Sequence, residues 1–194
     1  IIGVPVGLLC AVYLARFCPP RVYKYLKPAV DLLAGIPSIV YGFFGLVVIV
    51  PIMRDLFGGS GKSVLTASIL LGIMILPTLI SVGEASIRAV PESYYEGALA
   101  LGATPEETVF KVMLPAAKSG LTAGVILAID RSIGEAMAVS MVAGNQPVIP
   151  GSLLAGVRTM TANIVLEMGY AAGLHREALI ATGVVLFVFI LIIN

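Results

Sequence analysis

Three ionisable side chains, Asp130, Arg131 and Glu135, stand within a long apolar run of the sequence. In a bilayer such groups cost at least about 2.5 kcal/mol each, and they persist where they pair or line a polar pathway. Arg131 and Glu135 are four residues apart and would share one helix face, so they could pair. The planar fork of Arg131 also matches the oxygens of phosphate or carboxylate groups. Two interpretations stay open: a structural ion pair, or a polar patch on a path for an anion.

A second charged region runs from Glu84 to Pro115 and contains residues typical of the starts and ends of two short helices. Pro91 suits a first helical position, because its missing N–H would be unpaired there. Gly102 can adopt the left-handed conformation that closes a helix. Thr104 and Glu107 fit a capping box that opens the next one. The region also holds five acids and two cations: Glu84, Glu92, Glu96, Glu106, Glu107, Arg88 and Lys111.

Each predicted helix of this region has one apolar face. The first face is formed by Tyr95, Ala98 and Leu99, and the second by Val109, Val112 and Met113. A segment that merely connects two elements does not need two capped, amphipathic helices with exposed acids. The pattern favours a docking site for another protein, and the alternative is a surface helix pair packed only against its own chain.

Other candidate chemistry is weak. The run Gly58–Ser63 partly resembles a phosphate-binding loop. However, Leu56 lies where that motif needs glycine, and no predicted strand precedes it. His175 is the only histidine, which excludes a multi-histidine metal site and a Ser-His-Asp set. Cys10 and Cys18 match no metal or redox spacing and are expected to be free thiols. We predict no enzyme activity, no metal and no cofactor, and no basic or aromatic pattern suggests a nucleic-acid partner.

The composition indicates a membrane protein. Hydrophobic residues make up 59% of the 194 residues and charged residues 12%, against about 25% charged residues in soluble domains. Apolar runs long enough, or nearly so, to span a bilayer as helices occupy residues 1–17, 29–53, 63–83, 114–143 and 178–193. We therefore predict an all-α, polytopic transmembrane bundle with about five spans. Pro37 and Pro77 fall inside two of these spans and are expected to loosen them.

Basic residues set the predicted orientation. The first connection holds Arg16, Arg21, Lys24 and Lys27 without an acid, which places it in the cytoplasm. Alternation of five spans then puts residues 84–115 on the same side, the N-terminus outside and the C-terminus inside. In the fourth span Gly120, Gly124 and Ala128 recur every four residues, a spacing that lets helices approach closely in lipid.

Residues 96–115 resemble the EAA loop of ABC-importer permeases. The resemblance is carried by Glu96, Gly97, Ala98, Gly102, Val112, Met113, Leu114 and Pro115. Gly97 replaces the usual middle alanine of that motif and Val112 the usual isoleucine. In this family the loop seats in a groove of the ATP-binding subunit. The resemblance thus implies that residues 84–115 are a cytoplasmic coupling loop, with ATPase-coupling residues Glu96, Ala98, Gly102, Leu114 and Pro115.

Further segments resemble phosphate-importer permeases of the PstC type. They are residues 131–139, residues 31–42, residues 158–164 and residues 167–169. Asp130 departs from that pattern, which usually has a small or apolar residue there. The resemblance implies that residues 1–194 form a single transmembrane domain, truncated at both ends, from a chain with six spans. The resemblance of residues 131–139 sharpens the interpretation of Arg131, Glu135 and Asp130 as a substrate path. It also makes Arg158, in the external loop from Gly144 to Glu177, a candidate contact for the substrate-binding protein, without support from spacing.

The function implied is that of a permease subunit in the bacterial inner membrane. Its expected partners are a PstA-like second permease, a dimer of ATP-binding subunits that hydrolyses the ATP, an external phosphate-binding protein, inorganic phosphate and membrane lipid. Two alternatives stay open. One is a permease for another oxyanion, such as molybdate or sulfate. The other is an ion-coupled carrier or channel, which would have no use for an ATPase-docking loop.

Overall fold

The computed structural model describes residues 2–193, and this part of the chain is helical throughout its regular structure. Its helices are α1 Gly3–Phe17, α2 Pro20–Ala34, α3 Ser38–Phe57, α4 Val64–Arg88, α5 Glu92–Ala100, α6 Pro105–Ala116, α7 Lys118–Gly134, α8 Met137–Val142, α9 Met160–Glu167 and α10 Leu174–Ile193. Between residues 2 and 193 the only β-pairing is an isolated bridge that joins Gly144 to Val157. The predicted all-α class is confirmed.

Three helices are long and apolar enough to cross a membrane. They are α3, α4 and α10, with 20, 25 and 20 residues. Helices α6 and α7 pass the same test together but are bent by 71° at the break between them, so the described residues contain three or four such spans. Helix α1 is apolar but shorter. The predicted polytopic helical membrane protein is confirmed, while α1 as a further span stays a prediction.

The predicted span over residues 29–53 is wrong at its start. Helix α2 ends at Ala34, and α3 begins only at Ser38. Pro37 has φ −60° and ψ 142°, so it precedes α3 instead of kinking it. The physical reason is that proline has no N–H to donate and disfavours helical backbone at the residue before it. Residues 29–34 instead complete α2, which is amphipathic and contains no fully buried residue.

The predicted continuous span over residues 114–143 is also wrong, because the helix is interrupted twice. Ala117 has φ −83° and ψ 1°, outside the helical region, and α7 starts at the next residue. Helix α7 then ends at Gly134, and α8 begins at Met137. Glu135 and Ala136 therefore form a break in the chain and not a turn of helix.

Three helices contain a single π-helical turn. These turns are Tyr13–Phe17 in α1, Gly45–Ile49 in α3 and Val109–Met113 in α6. In a π turn the hydrogen bonds run from i to i+5, so the turn holds one residue more than an α turn. Such turns are rare in helices and are found often at functional sites.

The chain divides into two compact units, of which the first comprises Ile1–Gly35 and Ile75–Ala128. Its main core cluster consists of Val12, Ala15, Ile87, Val90, Val109, Met113 and Ala117. Within this unit α7 packs closely on α4 through glycines. A Cβ atom on Gly124 would lie 3.1 Å from Val82 Cγ1, and one on Gly120 would overlap the side chain of Ser86. The predicted close approach at the small residues of α7 is confirmed for these two positions.

The second unit comprises Ile36–Met74 and Ile129–Asn194. Its core cluster consists of Tyr41, Ile49, Val50, Met53, Ala67, Leu70, Met74, Ala138, Val139, Val142 and Ala143. Helices α3 and α8 meet at Gly42, where a Cβ atom would lie 2.8 Å from the Cα of Ala138. The N-terminus of α4 is capped by the last residue of α8 and by the chain that follows it. There the N–H groups of Ser63, Val64 and Leu65 donate to the carbonyls of Val142, Ala155 and Leu153 at 2.8–3.1 Å.

Candidate functional site

The segment from Glu92 to Ala116 forms the predicted pair of short helices. Helix α5 begins at Glu92, one residue later than the sequence suggested, with Pro91 just before it. Helix α6 opens with the predicted capping box. The N–H of Glu107 donates to Thr104 Oγ1 at 3.2 Å, and the N–H of Thr104 donates to Glu107 Oε2 at 3.4 Å. Lys111 adds an ion pair to Glu107 at 2.8 Å. The start of α6 is therefore fixed by local interactions.

Gly102 makes the turn between the two helices. Its φ is +90°, a conformation that side chains other than glycine rarely adopt. The N–H of Gly102 donates to the Leu99 carbonyl at 2.9 Å, and the N–H of Ala103 donates to the Ala98 carbonyl at 3.2 Å. These bonds satisfy carbonyls at the end of α5 that would otherwise lack partners. The predicted role of Gly102 as a helix-closing residue is confirmed.

The turn presents an exposed surface. Leu101 is 92% exposed, and Glu96 and Gly102 are exposed beside it. A Cβ atom on Gly97 or Gly102 would meet no heavy atom within 4 Å among the described residues. Ala98 is half-buried on the inner side of α5. The turn is therefore accessible to a partner. A single exposed leucine is common on protein surfaces and does not by itself mark a binding site.

The inner side of the segment is held to the rest of the first unit by apolar contacts. Val109 and Met113 are buried in the core cluster, and Tyr95 and Leu114 pack against it. Pro115 stays exposed, one residue before the end of α6. Tyr95, Val109 and Met113 of the predicted apolar faces are thus used for attachment, whereas Leu99 of the predicted α5 face is exposed, as are the acids of the two helices.

A polar tie that the sequence did not reveal also holds α5. Arg16, at the end of α1, binds the carboxylate of Glu92 with Nη1–Oε distances of 2.9 and 3.0 Å. The guanidinium carbon of Arg16 lies 5.2 Å from the centre of the Tyr95 ring, a cation–π distance. The two residues of the ion pair are 76 positions apart in the sequence, so no local sequence pattern could have predicted this pair.

The three charges predicted to line a substrate path lie in the second unit, where α7 ends. Asp130 and Arg131 are half-buried in the last turns of α7. Asp130 Oδ1 is buried and accepts no hydrogen bond from the residues that the structure describes. Glu135 lies beyond the helix. Its Oε1 accepts the N–H of Ala138 at 3.0 Å, and its carbonyl accepts the Thr161 hydroxyl at 3.0 Å.

This geometry corrects the expectation that Arg131 and Glu135 share one helix face. The carboxylate of Glu135 caps the N-terminus of α8, where backbone N–H groups lack helical partners and a negative charge is favoured. The interruption places a carboxylate, a guanidinium and a helix start close together in the chain. Polar groups at such a break are typical of binding sites in the interior of membrane proteins.

Arg158 is engaged within its own unit. Its Nε donates to the Asn145 carbonyl at 3.2 Å, and its Nη1 donates to Asn163 Oδ1 at 3.3 Å and to Glu167 Oε1 at 2.7 Å. Arg158 thus fastens the chain after α8 to helix α9. A hydrogen bond from Tyr170, together with the Arg158 guanidinium, lowers the pKa of Glu167, although desolvation acts in the opposite direction. The carboxylate therefore stays ionised and bound to Arg158 in mildly acidic solution. Only the family resemblance made Arg158 a candidate partner contact, and the sequence gave no sign of this internal role.

Comparison with known proteins fits this geometry. Residues 3–194 match the model of the family described as binding-protein-dependent transport system inner membrane component. The chain belongs to that family, and it is a multi-pass membrane protein.

Particular relatives carry more specific names. A protein of Bacillus subtilis (strain 168) named "Probable ABC transporter permease protein YqgH" is 40% identical over 100% of this chain and 65% of its own length. The phosphate transport system permease protein PstC of Mesorhizobium japonicum is 36% identical, with the same coverage. A protein of Methanocaldococcus jannaschii described as a probable PstC is 33% identical over 100% of this chain and 67% of its own length. The chain thus spans about 65% of the length of the first two relatives.

Solved structures share the fold. A chain of the MetNI methionine ABC transporter in an inward-facing conformation superposes with a TM-score of 0.77 at 23% identity, covering 99% of this chain and 82% of that chain. A chain of an amino acid ABC transporter gives a TM-score of 0.59 at 20% identity, with coverages of 99% and 82%. At these identities the likeness concerns the fold alone.

Proposed function

We propose that the chain is the core of a PstC-like permease subunit of an ATP-driven phosphate importer. The observation that carries the proposal is the exposed turn at Gly102, which presents Glu96 and Leu101 on a helix pair anchored to the core. Relatives named PstC at 36% and 33% identity support phosphate as the substrate. The full protein would span the bacterial inner membrane beside a PstA-like permease, with two ATP-binding subunits and an external phosphate-binding protein.

The proposed mechanism uses the loop as a lever. ATP binding closes the ATP-binding subunits, and their movement displaces the turn that contains Glu96, Ala98 and Gly102. Because Val109 and Met113 are buried in the core of the first unit, the loop cannot move without moving the helices that contribute to that core. Leu114 and Pro115 lie where α6 gives way to the 71° bend into α7, and we assign them the transmission of this movement.

Phosphate would pass near Arg131. A guanidinium offers several N–H donors to an oxyanion and stays charged at any physiological pH. Asp130 and Glu135 would limit the affinity, so that the anion can leave. The interruption of the helix at Glu135 supports a polar path here.

The test is transport by the full-length protein assembled with its partner subunits in proteoliposomes. We expect uptake of labelled phosphate that requires ATP, is inhibited by vanadate and survives proton and sodium ionophores. Competition by arsenate, with weak competition by sulfate and molybdate, would support phosphate. Stronger competition by sulfate or molybdate would favour the other oxyanion importers. Uptake that ionophores abolish and vanadate spares would contradict the proposal.

The assignment of Arg131 is tested separately. We expect Arg131→Gln to reduce phosphate uptake strongly while the complex with the ATP-binding subunits still assembles, because the substitution removes the charge and the guanidinium donors but keeps a polar side chain. Uptake per assembled complex is the measurement. Uptake at the level of the unaltered protein would reduce Arg131 to a packing role.

A further inference from the structure

A buried carboxylate lies at the cytoplasmic end predicted for α4. Glu84 is 3% exposed, and two hydrogen-bond donors to Oε1 and one cation beside Oε2 surround it. The Tyr23 hydroxyl donates to Oε1 at 2.6 Å, and Arg88 Nε donates to the same oxygen at 2.9 Å. Lys27 Nζ lies 3.2 Å from Oε2. A buried charge is retained only where such partners compensate its desolvation, so Glu84 fixes the positions of all three.

Two of these partners belong to α2, and polar contacts are the main attachment of that helix. Lys27 Nζ also pairs with Asp31 at 3.1 Å and donates to Ser81 Oγ at 3.1 Å. The Ser81 hydroxyl in turn donates to Asp31 at 3.1 Å. Since α2 has no fully buried residue, burial of apolar surface contributes little to its position. The helix is held to α4 by polar contacts at two residues. Glu84 accepts the Tyr23 hydrogen bond and pairs with Lys27, and Ser81 bridges Lys27 and Asp31.

The third partner extends the set of contacts to α1. Arg88 Nη2 donates to the Leu14 carbonyl at 3.0 Å, and its guanidinium carbon lies 4.7 Å from the centre of the Tyr23 ring. Leu14 lies in the π turn Tyr13–Phe17. The same turn contains Arg16, which binds Glu92 on α5. The contacts therefore run from the exposed loop through α1 to Glu84 and on to α2, all within the first unit.

We propose that Glu84 is a positioning residue that couples movement of the loop to α1 and α2. The proposal rests on the proposed function of the loop. Because α2 has no fully buried residue, close apolar packing does not carry movement to it, and its charged contacts are what keep it in register with α4. Glu84 is the one acceptor among the described residues that joins Tyr23, Lys27 and Arg88. Without its charge, the loop would move and α2 would not follow.

The test measures coupling and not transport alone. The full-length protein, assembled with its partner subunits in proteoliposomes, is assayed for phosphate taken up and for ATP hydrolysed, both per assembled complex. For Glu84→Gln we expect ATP hydrolysis to persist and the phosphate transported per ATP to fall about tenfold, within the range by which residues on a coupling route change coupling. Asp55→Asn is the matched control, since Asp55 is an exposed carboxylate paired with the adjacent Arg54, and it should leave the ratio unchanged.

Two further variants keep the proposal testable if Glu84→Gln does not assemble. Tyr23→Phe removes one donor and no charge, and Lys27→Met removes one cation of similar length. Each should lower the transported phosphate per ATP by a smaller factor, while Glu84→Asp should restore part of the ratio lost in Glu84→Gln. A fall of uptake and hydrolysis in parallel, with the ratio intact, would show a purely structural role and overturn the inference. If the unaltered complex shows no ATP-dependent phosphate uptake, the proposed function fails instead.

Discussion

Glu96 and Gly102 act in different ways although both lie on the exposed surface of the loop. In the proposed function Glu96 offers a charge to the ATP-binding subunit, and its exposed side chain is not part of the core cluster of its unit. Gly102 offers no side chain, and its φ of +90° lets α5 close and α6 begin three residues later, at Pro105. One residue therefore belongs to recognition and the other to geometry, and substitutions should separate the two.

We expect Glu96→Lys to abolish uptake without loss of membrane insertion. The side chain is exposed, so reversal of its charge changes the docking surface and not the stability of the protein. Uptake and membrane-inserted protein are measured together. Glu106→Lys is the control in the same loop, and there only a helix-dipole effect of about 0.5 kcal/mol is expected. Persistent uptake in Glu96→Lys would refute the docking assignment.

Gly102→Ala should weaken the loop by about 1 kcal/mol or more, because alanine is strained at positive φ. The expected result is faster hydrogen exchange in α5 and α6 and weaker association with the ATP-binding subunits. Gly97→Ala is the matched control. Gly97 lies in a helical turn with open space around it, where alanine is favoured by about 1 kcal/mol. Equal effects at the two positions would contradict the role given to the backbone of Gly102.

At the scale of elements, the close contact of α4 and α7 depends on glycine. A Cβ atom on Gly120 would overlap Ser86, whereas one on Gly134 meets nothing within 4 Å in the described part of the chain. Both positions are helical. The two glycines therefore give a matched pair of substitutions that differ only in whether a neighbouring helix is in the way.

Gly120→Ala should destabilise the full-length protein in detergent by about 1–3 kcal/mol, the usual cost of overpacking, and Gly134→Ala should not. The melting temperature is the measurement. The double variant Gly120→Ala with Ser86→Gly removes the obstacle and should recover part of the loss. Stability that is unchanged in Gly120→Ala would mean that α4 and α7 are less closely packed than described.

Local signals predicted some elements well and others poorly. The capping box at Thr104 and the turn at Gly102 were predictable because every atom involved lies within a few residues of sequence. The break before α3 was missed because the apolar run continues through it, although Pro37 marked it. The ties of Glu84 could not be predicted, because Tyr23 and Lys27 lie 61 and 57 positions away in the sequence. Pairing over such distances depends on the fold itself.

At the scale of the molecule, the charged residues of the first connection and those of the loop lie in the same compact unit. The cations of the first connection and the acids of the loop belong to the same unit, and they meet in the Arg16–Glu92 and Lys27–Glu84 pairs. This agrees with the prediction that residues 16–27 and 84–115 lie on one side of the membrane. The external side is then predicted to contain the segment from Gly144 to Glu177.

This orientation can be tested with two exposed positions. Leu101 is 92% exposed and Ile149 is 96% exposed, so cysteines at both should react freely from the side they face. In the full-length protein, with Cys10 and Cys18 replaced, an impermeant maleimide should label Ile149→Cys in intact cells. It should label Leu101→Cys only after the membrane is opened. Labelling of Leu101→Cys in intact cells would place the loop outside and remove the basis of ATPase docking.

The three π turns affect how the length of the spans can vary. An α-helix that loses one residue rotates everything beyond the deletion by about 100°, which turns lipid-facing groups inward. A π turn already contains one surplus residue, so its removal restores α geometry and leaves the two flanking segments facing as before. A shortened homologue could therefore lose a single residue within a π turn without rotating the rest of that helix about its axis. In this chain the π turns are residues 13–17, 45–49 and 109–113.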